Sequence, residues 1–158
     1  MKLDRNGLEV LDSDECWQLL SENHLGRLAV VAGNRPEIFP LNYVVDDSLL
    51  DATRTEDSGP DSGEDLRSLV FRTAPGTKLA AAAVGFPVAF EVDSADPMFH
   101  TGWSVVVHGT AQLVETTDEL LQVEALPLRP WGPSDKRHYL RLCPTELDGR
   151  RIPRGTGH

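Results

Sequence analysis

The chain has 158 residues, a formal charge of −10 and 40% hydrophobic residues, with no apolar run near the roughly 18 residues that a membrane helix needs. That length predicts one domain around one core, and the negative charge argues against a nucleic-acid backbone or an anionic membrane as partner. The opening stretch MKLDRNGLEVLDSDECW has no apolar core behind a basic flank, so no secretory leader is read and the cytoplasm is the default location.

In chain order, Ser13–Leu20 carries capping residues and puts Cys16, Leu19, Leu20 and Asn23 on one stripe, which predicts a short helix ended by the signal at Gly26. The runs 26–32 and 36–45 are β-rich and flank the turn cluster Ala32-Gly33-Asn34-Arg35, which predicts a hairpin. Residues 46–67 are rich in Asp, Glu, Ser, Gly and Pro, and are expected to form a mobile acidic loop; the alternating run 68–73 then pairs with the second strand. An Ala-rich helix over Thr77–Val84 closes at Gly85, and a strand follows over 87–93. Residues 102–114 read as one long strand bent at Gly109, a helix starts near Thr117 or Asp118, and a last strand over 138–144 precedes a polar tail, 153–158 of which is expected to be flexible. Six or so strands with short helices between them predict a mainly β, antiparallel barrel with peripheral helices, a single domain over 1–158.

Chemistry concentrates in Val70-Phe71-Arg72-Thr73-Ala74-Pro75-Gly76-Thr77-Lys78-Leu79. A strand delivers Arg72 and Thr73 into a Pro-Gly turn, and a helix begins at Thr77-Lys78. A guanidinium, two hydroxyls and an ammonium within a few residues are the donor types that hold a phosphate. The same residues also suit plain turn and cap chemistry, and spacing alone does not separate the two. Phe39-Pro40-Leu41-Asn42 is expected beside this strand. Because Pro40 donates no ladder hydrogen bond, it predicts an edge whose backbone groups can meet a heterocycle.

These segments, with Leu25-Gly26-Arg27-Leu28-Ala29, residues 88–93, residues 101–109 and the closing 140–144 and 149–152, resemble the pyridoxamine 5'-phosphate oxidase-like flavin-binding proteins over about residues 13 to 152. The resemblance implies a six-stranded antiparallel split barrel and a homodimer with two FMN sites at its interface. It implies that Arg72, Thr73, Thr77 and Lys78 hold the phosphate. Phe39, Pro40, Leu41 and Asn42 would line the isoalloxazine, and Trp103 and Ser104 would touch the flavin or its partner-chain wall. Trp131, in a Pro-rich loop, is a further aromatic candidate for the flavin or simply core cover.

The sequence departs from that family in its long acidic excursion after Val45 and in lacking the substrate-binding Arg and His of a true pyridoxamine phosphate oxidase, for which His138 and Arg141 are the nearest candidates. A general flavin reductase is therefore expected before a vitamin-producing oxidase. Cys16 and Cys143 read as buried thiols, His100 and His108 lack metal-site spacing, and His24 and His158 read as surface residues. Glu91 and Asp93 suit a solvent-facing strand side.

The leading expectation is an FMN-dependent oxidoreductase in which hydride passes to or from a small organic substrate. A deazaflavin-dependent reductase on the same fold is the alternative, prompted by an Ala- and Arg-rich, Lys-poor composition suggesting an actinobacterial source. A non-enzymatic flavin- or haem-binding protein, with His100 or His108 as axial ligand, is the third.

Overall fold

A computed structural model describes residues 1–47, 67–73, 77–127 and 138–153. The elements are β1 (Glu9–Leu11), α1 (Ser13–Ser21), β2 (Leu25–Ala32), β3 (Arg35–Asp46), β4 (Ser68–Thr73), α2 (Lys78–Ala83), β5 (Pro87–Asp96), β6 (Thr101–Leu113), α3 (Thr117–Glu124) and β7 (His138–Arg151). Every strand pairing is antiparallel. The order is β1-β7-β4-β3-β2-β5-β6, and a further β6–β7 pairing closes β2 to β7 into a six-stranded ring with β1 attached to β7. This is the split barrel that the sequence led one to expect.

The β2–β3 hairpin turns on Gly33 and Asn34, both at positive φ (57° and 62°), the conformation that matches the right-handed twist of two antiparallel strands. The barrel interior is filled by Leu28, Tyr43, Phe71, Phe90, Val105 and Leu140. Phe90 meets Tyr43 edge-on at 5.2 Å and Phe71 at 4.8 Å between ring centroids. Gly26 is required beneath this cluster, because a Cβ there would lie 2.4 Å from the Phe90 ring. α1 caps the barrel, with Trp17 and Leu20 buried and the Tyr43 hydroxyl donating to the Leu20 carbonyl at 2.5 Å. A second small cluster, Val70, Val114, Val123 and Tyr139, lies on the outside of the barrel wall beneath α3.

Several sequence expectations shift. α1 ends at Ser21 rather than near Gly26, because the Asn23 side chain donates back to the Leu19 carbonyl and the chain enters β2 at Leu25. The cap of α3 is Thr116, whose hydroxyl accepts from the Glu119 amide; neither Thr117 nor Asp118 fills that role. β5 runs on to Asp96. β7 runs through Pro144 to Arg151, so residues 145–151 are strand rather than polar tail. The ladder absorbs Pro144 with a register shift after His108. Gly109 sits there, 2.2 Å from the Cys143 carbonyl oxygen if it carried a Cβ, so the expected bend at this glycine is where the barrel is irregular. Cys16 is buried, whereas Cys143 is only half-buried. The expected acidic loop 46–67 starts late, because Asp46 is buried as the last residue of β3; residues 48–66, Trp131 and His158 lie outside the described residues.

Candidate functional site

β4 pairs with β3 only from Tyr43 to Asp46, so residues 35–42 of β3 have β2 on one side and no strand on the other among the described residues. Pro40, which lacks an amide donor, falls in this half-paired stretch, opposite Arg27. Strand alternation splits the four aromatic-edge candidates. Phe39 and Leu41 pack against the barrel core, while Pro40 lies exposed on the outer face. Asn42 follows on that outer side, and its amide donates to the His24 carbonyl at 3.2 Å.

At the same rim, the register that joins Tyr43 to Phe71 leaves Asn42 and Arg72 as the next residues on the two strands. Arg72 is half-buried and Thr73 is 7% exposed. Thr77 caps α2 by accepting from the Ala80 amide at 3.3 Å. Lys78 at the helix start reaches back to β3, where its ammonium donates to Glu37 at 2.9 Å. Arg72, Thr73, Thr77, Lys78 and the β3 edge are thus gathered at one end of the barrel. Glu37, which sequence reasoning passed over, already shows that Lys78 can hold an oxyanion from β3.

Trp103 and Ser104 are elsewhere. Arg72 pairs with Tyr139 at the start of β7, whereas Trp103 and Ser104 pair with Arg151 and Arg150 at its end. Across the sheet, β3, β2 and β5 lie between Arg72 and Ser104, a path of four strand spacings or about 19 Å.

His138 is exposed, and Arg141 is committed to structure: its guanidinium donates to Asp46 at 2.7 Å and to the Ser68 hydroxyl at 2.6 Å. His24, His100 and His108 are exposed, and no group of metal-ligating side chains occurs among the described residues.

The outer face of β2, β3 and β5 combines apolar and charged residues. Val31 and Ile38 are 64% and 66% exposed, with Ala29, Pro36 and Pro40 beside them. Arg27 donates to Glu91 and lies 3.0 Å from Asp93, at the margin of this patch. Burial raises the Glu91 carboxyl above its usual range, the hydrogen bond with Asp93 adds to the rise, and Arg27 opposes it. Both carboxyls lie on the outer face as partners of one guanidinium, Asp93 exposed as the alternation predicts and Glu91 half-buried.

The sequence pattern of the family described as pyridoxamine 5'-phosphate oxidase matches residues 12–151. An uncharacterised protein of Mycobacterium tuberculosis is 34% identical over 143 residues, covering 90% of this chain and 84% of its own length. Among solved structures, the FAD binding protein from Mycobacterium smegmatis superposes with a TM-score of 0.70 at 34% identity, covering 92% of this chain and 100% of its own. A candidate pyridoxamine 5'-phosphate oxidase from Corynebacterium glutamicum does so with a TM-score of 0.73 at 31% identity, covering 95% and 96%. No helix among the described residues is long and apolar enough to cross a membrane.

Proposed function

Starting from the fact that this chain belongs to the pyridoxamine 5'-phosphate oxidase family, we propose that it is a homodimeric flavin-dependent oxidoreductase binding FMN at the subunit interface. The observation that carries the reading is the rim where Arg72 and Thr73 end β4, Thr77 and Lys78 open α2, and β3 presents the half-paired edge Phe39–Asn42. Arg72 gives the planar fork and Lys78 the point charge for a phosphate dianion. Lys78 is 63% exposed in its pair with Glu37, so that pair contributes little and yields readily to a stronger anion. Backbone groups of β3 near Pro40 and Asn42 meet the polar edge of the ring.

In this reading a partner copy completes the site. Trp103 and Ser104 of the second protomer lie across the interface from the phosphate-binding rim. The exposed apolar patch around Val31 and Ile38 is the surface that the second copy covers. Bound flavin supplies hydride chemistry; the protein's residues bind its phosphate, orient its ring and exclude water from it. The FAD-binding relative from Mycobacterium smegmatis favours a flavin over haem here.

Gel filtration with absorbance detection tests the reading. FMN, FAD and a deazaflavin are each mixed with the protein, and FMN is expected to co-elute at dimer size. A stronger test mixes two variants. Arg72→Ala and Trp103→Ala homodimers each bind FMN weakly, but in a mixed dimer one site carries both changes and the other neither. Mixing is therefore expected to restore tight binding at one site per dimer. Retention of no cofactor, or no restoration on mixing, overturns the proposal.

A further inference from the structure

Two strands along from the β3 edge, where Arg27 reaches Asp93, the β5–β6 hairpin and the last residues of β7 line a cleft of about 320 Å³. Its walls are apolar: Leu8 from the segment before β1, Ala95 from β5, Trp103 from β6 and Ile152 just after β7. The amide of Ile152 donates to the Gly102 carbonyl at 2.9 Å, which ties the wall to the hairpin. Ser94 and Arg151 add the polar lining.

The arginines around this cleft are unequal. Arg27 is held by Glu91 and Asp93. Arg150 donates to Asp4 at 3.1 Å, to Asp148, and to the Gly149 carbonyl at 3.0 Å. Among the described residues, the carboxylates near Arg151 are Glu9 at 3.8 Å and Glu15 at 4.0 Å, both beyond hydrogen-bond length. Its side chain is 37% exposed and lines the cleft, and its guanidinium keeps donors for a ligand oxygen.

Charge decides which oxygen. Asp4, Glu9, Glu15, Glu91, Asp93 and Asp148 surround the three arginines, and the whole chain carries −10. An anion entering here meets an adverse field that one guanidinium does not reverse, whereas a neutral carbonyl accepts the same hydrogen bond without that cost. The volume is near the lower end of small-molecule pockets, which suits one or two fused rings, and an indole wall favours a flat one.

We propose that this cleft binds a neutral, planar, aromatic carbonyl compound, its ring lying along Trp103 and its oxygen accepting from Arg151. The binding stands on the cleft itself. Its role as the organic substrate beside the partner's flavin rests on the function proposed above.

The test titrates the full chain with coumarin, a neutral planar lactone, and with coumarin-3-carboxylate, its anionic counterpart. The Trp103 indole N–H signal, assigned with Trp103→Phe, is followed by NMR alongside calorimetry. Coumarin is expected to bind saturably, to shift that signal and to bind roughly tenfold more tightly than the carboxylate. Arg151→Gln is expected to weaken coumarin about tenfold, the scale of one hydrogen bond to a charged group. Tighter binding of the carboxylate, an unmoved Trp103 signal, or unchanged affinity in Arg151→Gln overturns the proposal. Competitive displacement of coumarin by FMN also overturns it, since the cleft would then belong to the cofactor. FMN that fails to bind while coumarin still does sinks the flavin reading and leaves this one standing.

Discussion

The Arg141–Asp46 and Lys78–Glu37 pairs have almost the same length, 2.7 and 2.9 Å, and both join segments far apart in the chain. Their surroundings differ. Asp46 is 2% and Arg141 16% exposed, and the same guanidinium nitrogen also donates to Ser68. Lys78 is 63% exposed and holds Glu37 at the rim of a half-paired strand. The first pair is locked inside the wall where β3, β4 and β7 meet, so its charges serve the fold. The second is open to competition, so its cation is available to a ligand. Burial, not distance, separates a charge locked into the fold from one that a ligand can reach.

Breaking the buried pair has the largest expected effect. Arg141→Ala should destabilise the fold by about 3–5 kcal/mol, because it strands Asp46 without its counter-charge; urea unfolding measures this. A loss below about 1 kcal/mol would erase the contrast. At the exposed site the effect should move from stability to binding. Lys78→Ala and Arg72→Ala should each weaken FMN by roughly 1–3 kcal/mol in a fluorescence titration, and Lys78→Ala should change unfolding by under about 0.5 kcal/mol. Glu37→Gln sharpens the point, since removing the competing carboxylate should tighten FMN by a few tenths of a kcal/mol. An affinity that falls instead would show Glu37 to be part of the site.

The smallest effect belongs to a pair between these extremes. Glu91 titrates above its usual range in the folded protein, so the native state binds more protons than the unfolded chain just above the ordinary glutamate pKa. Stability should therefore fall as pH rises through that window, and Glu91→Gln should flatten the slope in denaturant midpoints measured across it. A separate check concerns Cys16, where burial pushes the thiol up to about 11. It should resist Ellman's reagent in the native protein and react only on unfolding.

How much of this was legible in the sequence follows the range of the interactions. The hairpin at Gly33-Asn34, the short helix after Thr77 and the bend at Gly109 are set by residues a few positions apart, and all three were readable. β1 was not, because three residues carry no usable alternation and their pairing is with β7, at the other end of the chain. β7 was cut short at Pro144, a residue that normally ends a ladder but here occupies an irregularity. The donor set at Arg72–Lys78 was visible as a local motif. Its separation from Trp103 was not, since that depends on which end of β7 each strand meets. The pairing of Asp46 with Arg141 was equally hidden. The Arg150-Arg151 doublet was a signal for the second cleft, but it stood in a stretch that looked like a polar tail.

The double duty of β7 has a consequence for how the protein is made. This strand alone borders β1, β4 and β6, so the ring stays open until the ribosome has released it. Until then β4 and β6 each carry an unpaired edge, with buried-type side chains such as Leu69, Phe71, Val105 and Val107 exposed beside them. Ribosome-bound chains stopped before His138 are therefore strand-edge templates for one another, and β7 is the strand that covers the open edges of both β4 and β6.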